Sequence, residues 1–389
     1  MTDQVRLHFQ KRRRKLLEIL SDLIAARTVN PPGNEEEGSA VVERFCKKHG
    51  IEYRLLEEKK GRTNLMANVG RGSPRLLVVC HLDVVPPGEG WKTDPFKATI
   101  KGGKVYGRGA ADNKGQLAAA LLVLAYLKSR EKELSGKFTL ICTADEEAGS
   151  RLGLLALVKK GKVKGDFAIV PDSANRMRGI DVSEKGALFI KITSFGKQAH
   201  GSTPEKGRSA IWPMIDLLGI LRNFSFPPGA HALHSPPTLN LGTISGGSAT
   251  NVVPARCEAQ IDIRFLPGQK VQAYLEEVKK AIRKVRKENQ AARFRLEVMS
   301  LHEPTEMDAR DPLVEAIRRR AREVLHFTPK PFGMSGSTNV KQLALAGIKA
   351  VGFAPGEETA PHSANEFIEV EELLDFATVL ALVSLDLLR

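Results

Sequence analysis

Short hydrophobic runs that alternate with helical segments between about residues 62 and 170 constrain the fold of this 389-residue chain more than any other feature. Four of these runs predict strands, namely LMANV (65–69), RLLVVC (75–80), KFTLICT (137–143) and DFAIV (166–170). Helical patterns lie between them at 114–129 and 151–160. Near-continuous hydrophobic strands separated by helices are typical of a mostly parallel sheet that is buried on both faces. The pattern therefore predicts an α/β domain.

A different pattern begins near residue 184. The segments 187–194, 238–245 and 257–265 alternate apolar and polar residues, as strands with one solvated face do. Two helical patterns, 208–222 and 268–288, accompany them. Together these segments predict a small α+β domain in which two helices cover one side of an antiparallel sheet.

After about residue 300 the alternation of helices and strands returns. Helices are predicted at 311–325, 338–346 and 370–388, and a strand is predicted at 349–353. We interpret this segment as the continuation of the first domain. Residues 1–183 and 300–389 would then form one α/β domain with a mixed, mostly parallel sheet, and residues 184–299 would be an α+β insertion.

The composition limits the classes of protein to which the chain can belong. Lys and Arg (59) exceed Asp and Glu (45), and the resulting formal charge of +14 favours encounters with anions. The four cysteines form no C-x-x-C pair, so neither a disulfide framework nor a cysteine zinc site is expected. The longest apolar runs, 117–127 and 376–385, are shorter than the roughly 18–20 residues of a membrane span. Because the basic amino terminus has an amphipathic pattern and no signal-peptide pattern, we expect a soluble, cytoplasmic protein without a membrane partner.

Acidic and histidine residues follow the predicted strands. The candidates are His81 and Asp83 in an H-x-D pair, Asp112 in the glycine-rich turn 107–115, the run Asp145-Glu146-Glu147, Asp172, and His362 in a later polar loop. Each has an ordinary alternative, since Asp112 suits a helix cap and the acidic run suits a solvated corner. However, ligands of open α/β sheets gather beyond the carboxyl ends of the strands, where most of these residues are expected. Two divalent cations that share Asp112 would each receive three protein ligands and keep a position for water, as catalytic sites do.

The motifs of the chain, in their order, resemble those of a known enzyme family. They are the Asn-Pro-Pro-Gly turn (30–33), HLDVVPPGEGW (81–91), GRGAADNKG (107–115), TADEEAGS (143–150), GKQAHGSTP (196–204), GGSATNVVPARCEAQIDIR (246–264) and PHSANEFI (361–368). Over nearly the whole chain this set resembles the co-catalytic metallopeptidase and amidohydrolase family. That family includes acetylornithine deacetylase, succinyl-diaminopimelate desuccinylase, aminoacylase and glutamate carboxypeptidase.

The resemblance implies roles for the candidates of the α/β domain. One metal ion would be held by His81, Asp112 and Asp172, and the other by Asp112, Glu147 and His362. Asp83 would orient His81. Glu146 would be the general base that takes a proton from the water between the ions and passes it to the leaving amine. The two divalent ions would be zinc, with cobalt as an alternative.

The resemblance also makes the inserted domain a lid that carries the contact of a homodimer. His200 would donate a hydrogen bond to the tetrahedral oxyanion across the dimer. Asn251 and Arg264 would hold the carbonyl and the carboxylate of the substrate. The loop 335–339 would form a second carboxylate-binding turn, with contacts from Gly336, Ser337 and Thr338.

Two residues depart from the pattern of the family. Asn339 stands where many members have Asp, which would alter the charge preference near the substrate. Asn113 stands where many members have Met or Asp, and we expect it to leave the metal ions in place. Both departures bear on the identity of the substrate rather than on the class of reaction.

Other classes of function fit the sequence less well. Nucleic acid is not expected as a partner because no binding motif is present and the aromatic residues, 6% of the chain, are scattered. The glycine-rich turn has Asp112 where the dinucleotide fingerprint needs Gly, and no Gly-Lys pair precedes Ser or Thr. A serine hydrolase would need G-x-S-x-G, which residues 333–337 miss. A binding protein without catalysis would not need the complete ligand set and Glu146.

Two substrate classes remain open within the family. The first is the N-acyl amino acid, whose amide bond is cleaved in the biosynthesis of arginine or lysine. The alternative is a short peptide, cleaved by a dipeptidase or carboxypeptidase. Both present an α-carboxylate that suits Arg264, and the positive charge of the chain mildly favours the acylated, more anionic class.

Overall fold

The hydrophobic runs of the sequence form strands in the computed structural model of the protein, which describes residues 1–389. In chain order the strands are β1 (Glu52–Glu57), β2 (Thr63–Gly70), β3 (Arg75–His81), β4 (Thr99–Lys101), β5 (Lys104–Tyr106), β6 (Lys137–Thr143), β7 (Phe167–Ala174), β8 (Gly179–Glu184), β9 (Gly186–Phe195), β10 (Thr238–Gly246), β11 (Arg256–Phe265), β12 (Arg293–His302), β13 (Thr305–Glu306), β14 (Lys330–Met334), β15 (Lys349–Ala354) and β16 (Phe367–Glu369). The helices are α1 (Thr2–Gln10), α2 (Arg13–Ala25), α3 (Glu35–His49), α4 (Lys114–Lys128), α5 (Leu154–Lys159), α6 (Ile211–Leu221), α7 (Val271–Glu288), α8 (Pro312–Leu325), α9 (Val340–Leu345) and α10 (Val370–Leu388). The strands predicted between residues 65 and 170 correspond to β2, β3, β6 and β7.

The chain divides into two units. The first consists of Met1–Val182, Met307–Phe332 and Thr338–Arg389, and the second of Ser183–Glu306 and Gly333–Ser337. The sequence predicts boundaries after residues 183 and 299. Residue 299 lies inside β12, and the chain re-enters the first unit only after β13.

The first unit is built on a mixed sheet with a parallel centre. Its strands lie in the order β1-β2-β6-β3-β7-β15-β8. Strands β6, β3, β7 and β15 pair in parallel, whereas β1, β2 and β8 pair in antiparallel fashion on the two sides. Strands β3 and β6 are buried along nearly their whole length, as their hydrophobic sequences predict. The predicted fold class, a mixed α/β sheet together with a separate antiparallel sheet, is confirmed.

Two hydrophobic helices cover the centre of this sheet. Helices α4 and α10 pack against each other and against β3 and β6. Their residues are buried on nearly all sides, which explains why apolar residues surround both helices rather than forming a stripe.

The register of the central strands determines where the following loops lie. His81 at the end of β3 pairs with Thr143 at the end of β6, and β7 pairs with β3 on the other side. Because these strands are parallel, the segments that follow β3 and β6 leave the sheet at the same edge.

The second unit contains the antiparallel sheet, in the order β10-β11-β9-β12. Residues of α6 and α7, among them Met214, Leu217, Tyr274 and Val278, form one hydrophobic core with Ile190 and other residues of the sheet. Strand β12, which is not among the predicted strands, has a mostly exposed or half-buried sequence that gives a weak pattern. No helix of the chain is both long and apolar enough to span a membrane.

Candidate metal centre

Two histidines flank the Asp112 carboxylate at the carboxyl edge of the sheet. The Nε2 atom of His81 lies 2.8 Å from Oδ1 of Asp112, and Nε2 of His362 lies 3.1 Å from Oδ2 of the same residue. His81 ends β3, Asp112 precedes α4, and His362 lies in the loop between β15 and β16. Each oxygen of one carboxylate therefore faces a different imidazole, which is the arrangement that a shared ligand requires.

Further carboxylates surround this trio. The Asp172 Oδ1 atom lies 3.7 Å from His81 Nε2, and Glu147 Oε2 lies 3.2 Å from His362 Nε2. Potential ligand atoms of His81, Glu146 and Asp172 lie within 4.8 Å of one another, and so do those of His81, Asp112 and Glu147. The structure thus brings the five predicted ligands and Glu146 into one cluster.

The donor set suits divalent cations. Imidazole and carboxylate are ligands that zinc binds readily. The Oε1 atom of Glu147 is buried and has no hydrogen-bond partner, although a buried carboxylate oxygen is costly to leave unpaired. A cation bound between Glu147 and its neighbours would satisfy this atom. The residues present therefore fit a pair of metal ions.

The carboxyl groups of the cluster carry strongly perturbed pKa values. Burial raises the pKa of Glu146 well above its ordinary value, and the charge of Asp172 adds to the effect. Burial and the charge of Asp112 raise the pKa of Asp172 to about 7. Burial also raises the pKa of Asp112, but its hydrogen bonds with the two histidines outweigh burial and lower that pKa below its usual range. Negative charge is therefore concentrated here beyond what the surroundings compensate.

The two histidines respond in the opposite direction. Hydrogen bonds with Asp112 and Glu147 raise the pKa of His362 to about 10. Burial lowers the pKa of His81, but its contacts with Asp112, Asp172 and Asp83 outweigh burial and place it well above the ordinary value. In the metal-free protein the protonated imidazoles would supply positive charge. Bound cations would displace these protons and supply the positive charge in their place.

Asp83 supports the cluster in a different way from the one that the H-x-D spacing suggests. Its backbone oxygen lies 2.8 Å from His81 Nδ1, whereas its carboxylate lies 3.7 Å from that atom. In the neutral imidazole, a hydrogen bond from Nδ1 to the backbone leaves Nε2 as the unprotonated nitrogen that can bind a metal. The Asp83 carboxylate instead accepts from the backbone N–H groups of Glu146 and Glu147, each at 3.1 Å, and from Asn30 at 2.8 Å.

Asp145, the first residue of the acidic run, belongs to a buried ion-pair network. Arg62 donates to both oxygens of Glu35 at 2.6 and 2.7 Å and to Asp145 at 2.9 Å. Asp145 also accepts from the backbone N–H of Leu152 at 3.0 Å. The three adjacent carboxylates therefore have separate surroundings. Sequence reasoning missed Arg62 and Glu35, because nothing in their local sequence indicates that these charged side chains are buried and paired.

The two residues that depart from the family pattern are both buried in supporting contacts. Asn113 accepts from the backbone N–H of His81 at 3.1 Å and donates to the carbonyl of Pro171 at 3.3 Å, next to Asp172. The amide oxygen of Asn339 accepts from the Ser150 hydroxyl at 3.0 Å. Asn339 therefore supports the turn that follows Glu147.

Most of the other predicted residues lie in the second unit. Backbone hydrogen bonds from Gly201 to Asn251 at 2.7 Å and from Val253 to Ala199 at 2.9 Å join the loops of His200 and Asn251. The Nδ1 atom of His200 accepts from the backbone N–H of Ser202 at 3.1 Å. The proton of a neutral His200 therefore lies on Nε2.

Arg264 and the 335–339 loop have defined surroundings as well. Arg264 donates through Nε and Nη2 to the two oxygens of Asp262, at 2.9 and 3.0 Å. Gly336 and Ser337 end the second unit's short return segment, whereas Thr338 begins the next segment of the first unit. The Thr338 hydroxyl accepts from the backbone N–H of Val340 at 3.2 Å, at the start of α9.

Known proteins resemble this chain in sequence and in fold. The sequence profile of Peptidase family M20/M25/M40 matches residues 77–386, which include all five predicted ligands. An uncharacterized metallohydrolase of Methanocaldococcus jannaschii is 30% identical over 401 aligned residues, covering 93% of this chain and 97% of that protein. Acetylornithine deacetylase of Proteus mirabilis is 34% identical over 341 residues, covering 82% of this chain and 81% of that enzyme. The crystal structure of the aminopeptidase PepT from Bacillus cereus has a TM-score of 0.76 and 25% identity, covering 96% of this chain and 98% of that one.

The network around Asp145 makes a prediction about stability. Glu35→Gln removes the negative charge to which both Nε and Nη2 of Arg62 donate. Breaking a buried ion pair costs about 3–5 kcal/mol of stability. We expect denaturant unfolding of the metal-free protein to show a loss of that size. Glu36→Gln, at the exposed neighbouring position, is the matched control and should change the free energy of unfolding by less than about 0.5 kcal/mol. Equal stabilities for the two variants would contradict a structural role for the network.

Proposed function

This chain belongs to the peptidase family M20/M25/M40, and we propose that it cleaves the amide bond of N-acyl amino acids with the help of two divalent metal ions. The membership confirms the family resemblance of the motifs, and the chain is accordingly a metallohydrolase. The observation that carries the proposal is the Asp112 carboxylate, which lies between His81 and His362 within a cluster of further carboxylates.

The contacts around Asp112 support the two ligand sets that the family resemblance implies. We assign His81, Asp112 and Asp172 to one ion and Asp112, Glu147 and His362 to the other. Zinc suits these imidazole and carboxylate ligands, and cobalt is the alternative. When bound, such a pair of cations lowers the pKa of a water molecule between them and polarises the carbonyl group of the substrate.

Glu146 is the proposed general base. Its carboxylate belongs to the cluster, and the Asp83 carboxylate holds its backbone N–H. From this position Glu146 takes a proton from the attacking water and later delivers it to the nitrogen of the leaving amine. Its neighbour Glu147 faces His362, so the two adjacent residues have different tasks.

His200 is the proposed donor to the oxyanion. Because Nδ1 accepts the Ser202 N–H, Nε2 carries the proton and is available as a donor. A donor that meets the oxygen of the tetrahedral intermediate lowers the barrier of the reaction, typically by about 10²–10³ in rate.

The proposed substrate class rests on Arg264 and on the similarity of the chain to known enzymes. Arg264 would bind the α-carboxylate, with Asn251 on the carbonyl and the loop of Gly336, Ser337 and Thr338 as a further contact. An N-acyl amino acid agrees with the similarity to acetylornithine deacetylase. Short peptides are the second candidate, because the fold also matches an aminopeptidase at 25% identity.

The second unit supports the proposal of a homodimer. Strand β10 is an edge strand with a largely exposed sequence, and its Leu241 and Ile244 are exposed large apolar residues. Trp212 and Ile215 of α6 are exposed as well. Monomeric proteins rarely leave a hydrophobic edge strand uncovered, and pairing with a second copy would cover it.

The role of Glu146 predicts a specific kinetic defect. Glu146→Gln keeps the size of the side chain but cannot accept the proton, so kcat should fall by about 10²–10⁴. Metal content, measured by atomic emission after dialysis, should stay at two ions per chain. Turnover within threefold of the wild-type value would exclude Glu146 as the base.

The substrate class is decided by a screen of the zinc-loaded and cobalt-loaded enzyme. N-acetyl and N-succinyl amino acids should give a higher kcat/KM than dipeptides. The matched control is each acyl amino acid with its α-carboxylate converted to an amide, which should lose about 10- to 100-fold in kcat/KM because the group that Arg264 would bind loses its negative charge. Dipeptides as the best substrates would favour the peptidase alternative, and unchanged rates for the amides would remove the role of Arg264.

The dimer surface predicts a change in mass. Ile244→Asp places a charge on the exposed edge of β10 and should convert a dimer into a monomer in light scattering. Leu345→Asp, at an exposed apolar position of the first unit, should leave the mass unchanged. A wild-type monomer, or a dimeric Ile244→Asp variant, would contradict the proposed surface.

A further inference from the structure

Glu366 is a buried carboxylate that accepts four hydrogen bonds from a single turn. Its side chain is 1% exposed. Its Oε1 atom accepts from the backbone N–H groups of Ala111 at 2.8 Å and Asp112 at 3.1 Å. Its Oε2 atom accepts from the backbone N–H of Gly109 at 3.0 Å and from Arg108 Nη1 at 2.6 Å. The turn before α4 therefore folds around one carboxylate.

The glycine-rich sequence of the turn is what allows this arrangement. Gly109 has a φ of +86°, and a Cβ atom there would lie 2.8 Å from Val84 and 2.9 Å from Lys114. Successive backbone N–H groups that converge in this manner form an anion-binding concavity, as in phosphate-binding loops. Here the anion comes from the chain itself. In this turn, which is similar in sequence to the dinucleotide fingerprint, Glu366 occupies the converging N–H groups.

Arg108 makes the contact rigid. Its Nη2 atom reaches the carbonyls of Pro86 at 3.4 Å and Pro87 at 3.2 Å, and its guanidinium lies 5.3 Å from the centre of the Trp91 ring. The guanidinium is thus fixed independently of Glu366 and compensates the buried negative charge. Glu366 receives both a fixed partner and three backbone donors.

The position of Glu366 in the chain connects two proposed ligands. It lies four residues after His362, in the same segment before α10, and its own carbonyl accepts from the backbone N–H of Gly107 at 3.0 Å. The hydrogen bond to the N–H of Asp112 links this segment directly to the shared carboxylate. Any movement of the turn would therefore change the spacing between Asp112 and His362, which is 3.1 Å.

We infer that Glu366 is a positioning residue that holds Asp112 and His362 at the spacing required to bind a metal ion between them. The inference rests on the proposed assignment of both residues as ligands. The four hydrogen bonds of the Glu366 side chain are all with the turn, so we assign it no direct contact with the metal ions or the substrate.

Glu366→Gln is the decisive variant. A carboxamide has one oxygen, so its amino group would face either the Ala111 and Asp112 donors or the Gly109 and Arg108 donors. One pair of hydrogen bonds is lost in each orientation. Titration calorimetry of the metal-free protein with Zn²⁺ should show affinity reduced by about 10- to 100-fold, as for other partners that orient metal ligands.

Glu357→Gln is the matched control. Glu357 lies five residues before His362, is partly exposed, and pairs with Arg176 at 3.0 Å. Its replacement should leave two ions bound with wild-type affinity. If the substitutions only destabilised the loop, both variants would lose thermal stability and would bind Zn²⁺ with equal affinity.

Amide hydrogen exchange provides a readout without metal. In the metal-free wild-type protein, the N–H groups of Ala111 and Asp112 should be protected, and Glu366→Gln should accelerate exchange at one of the two donor pairs. If the variant does not fold, the wild-type measurement still decides, since rapid exchange at Ala111 and Asp112 would overturn the inference.

The outcomes separate this inference from the proposed function. A wild-type chain that binds two ions together with a Glu366→Gln variant of equal affinity would overturn the positioning role alone. A wild-type chain that binds fewer than two ions would overturn the proposed function and, with it, any role of Glu366 toward a metal.

Discussion

Carboxylates buried at one edge of the sheet repel one another, and this repulsion must be compensated for the chain to fold around them. Asp112, Glu146, Glu147 and Asp172 lie close together, and the only basic side chains among them are His81 and His362. Burial raises the free energy of each charged form, and proximity raises it further. Such a cluster is stable when protons or divalent cations supply the compensating charge. The parallel sheet brings these residues together, and their negative charge favours the binding of divalent cations.

Separate buried contacts hold two segments of the cluster, residues 145–147 and the turn of Asp112. Asp83 holds the backbone of Glu146 and Glu147, and Arg62 holds Asp145 at the start of the same turn. Glu366 holds the turn of Asp112. Because these segments have buried hydrogen-bonded partners, Asp112 and Glu147 are held in position before a metal binds. Preorganisation of this kind reduces the cost of binding, since little of the binding energy is spent on ordering the loops.

Hydrophobic periodicity predicted the central strands and most helices because burial on both faces leaves a clear pattern. It also placed His81 at the end of a strand and Asp112 in the turn before α4, whereas Asp172, expected after a strand, lies inside β7 because that strand continues to Ala174. It did not predict edge elements such as β12, whose mixed exposure gives no clear alternation. Hydrophobic periodicity could not predict the supporting contacts, because Arg108 and Glu366 are 258 residues apart and only the folded chain brings them together.

A motif can identify a supporting residue without identifying which of its atoms makes the contact. The resemblance implied that Asp83 would orient His81; the backbone oxygen of Asp83 is the nearer acceptor, and its carboxylate accepts from the neighbouring turn. The motif TADEEAGS likewise contains three acidic residues whose separate surroundings depend on Arg62, Asp83 and His362. Side-chain direction depends on tertiary contacts, so sequence reasoning identifies such residues more readily than it assigns their partners.

Anomalous X-ray diffraction from crystals of the zinc-loaded protein would locate the proposed ions. Two zinc peaks about 3.5–4 Å apart are expected, one on the side of His81 and Asp172 and one on the side of Glu147 and His362, with Asp112 between them. A loaded crystal without zinc at Asp112, or with a single ion there at full occupancy, would contradict the two-metal assignment.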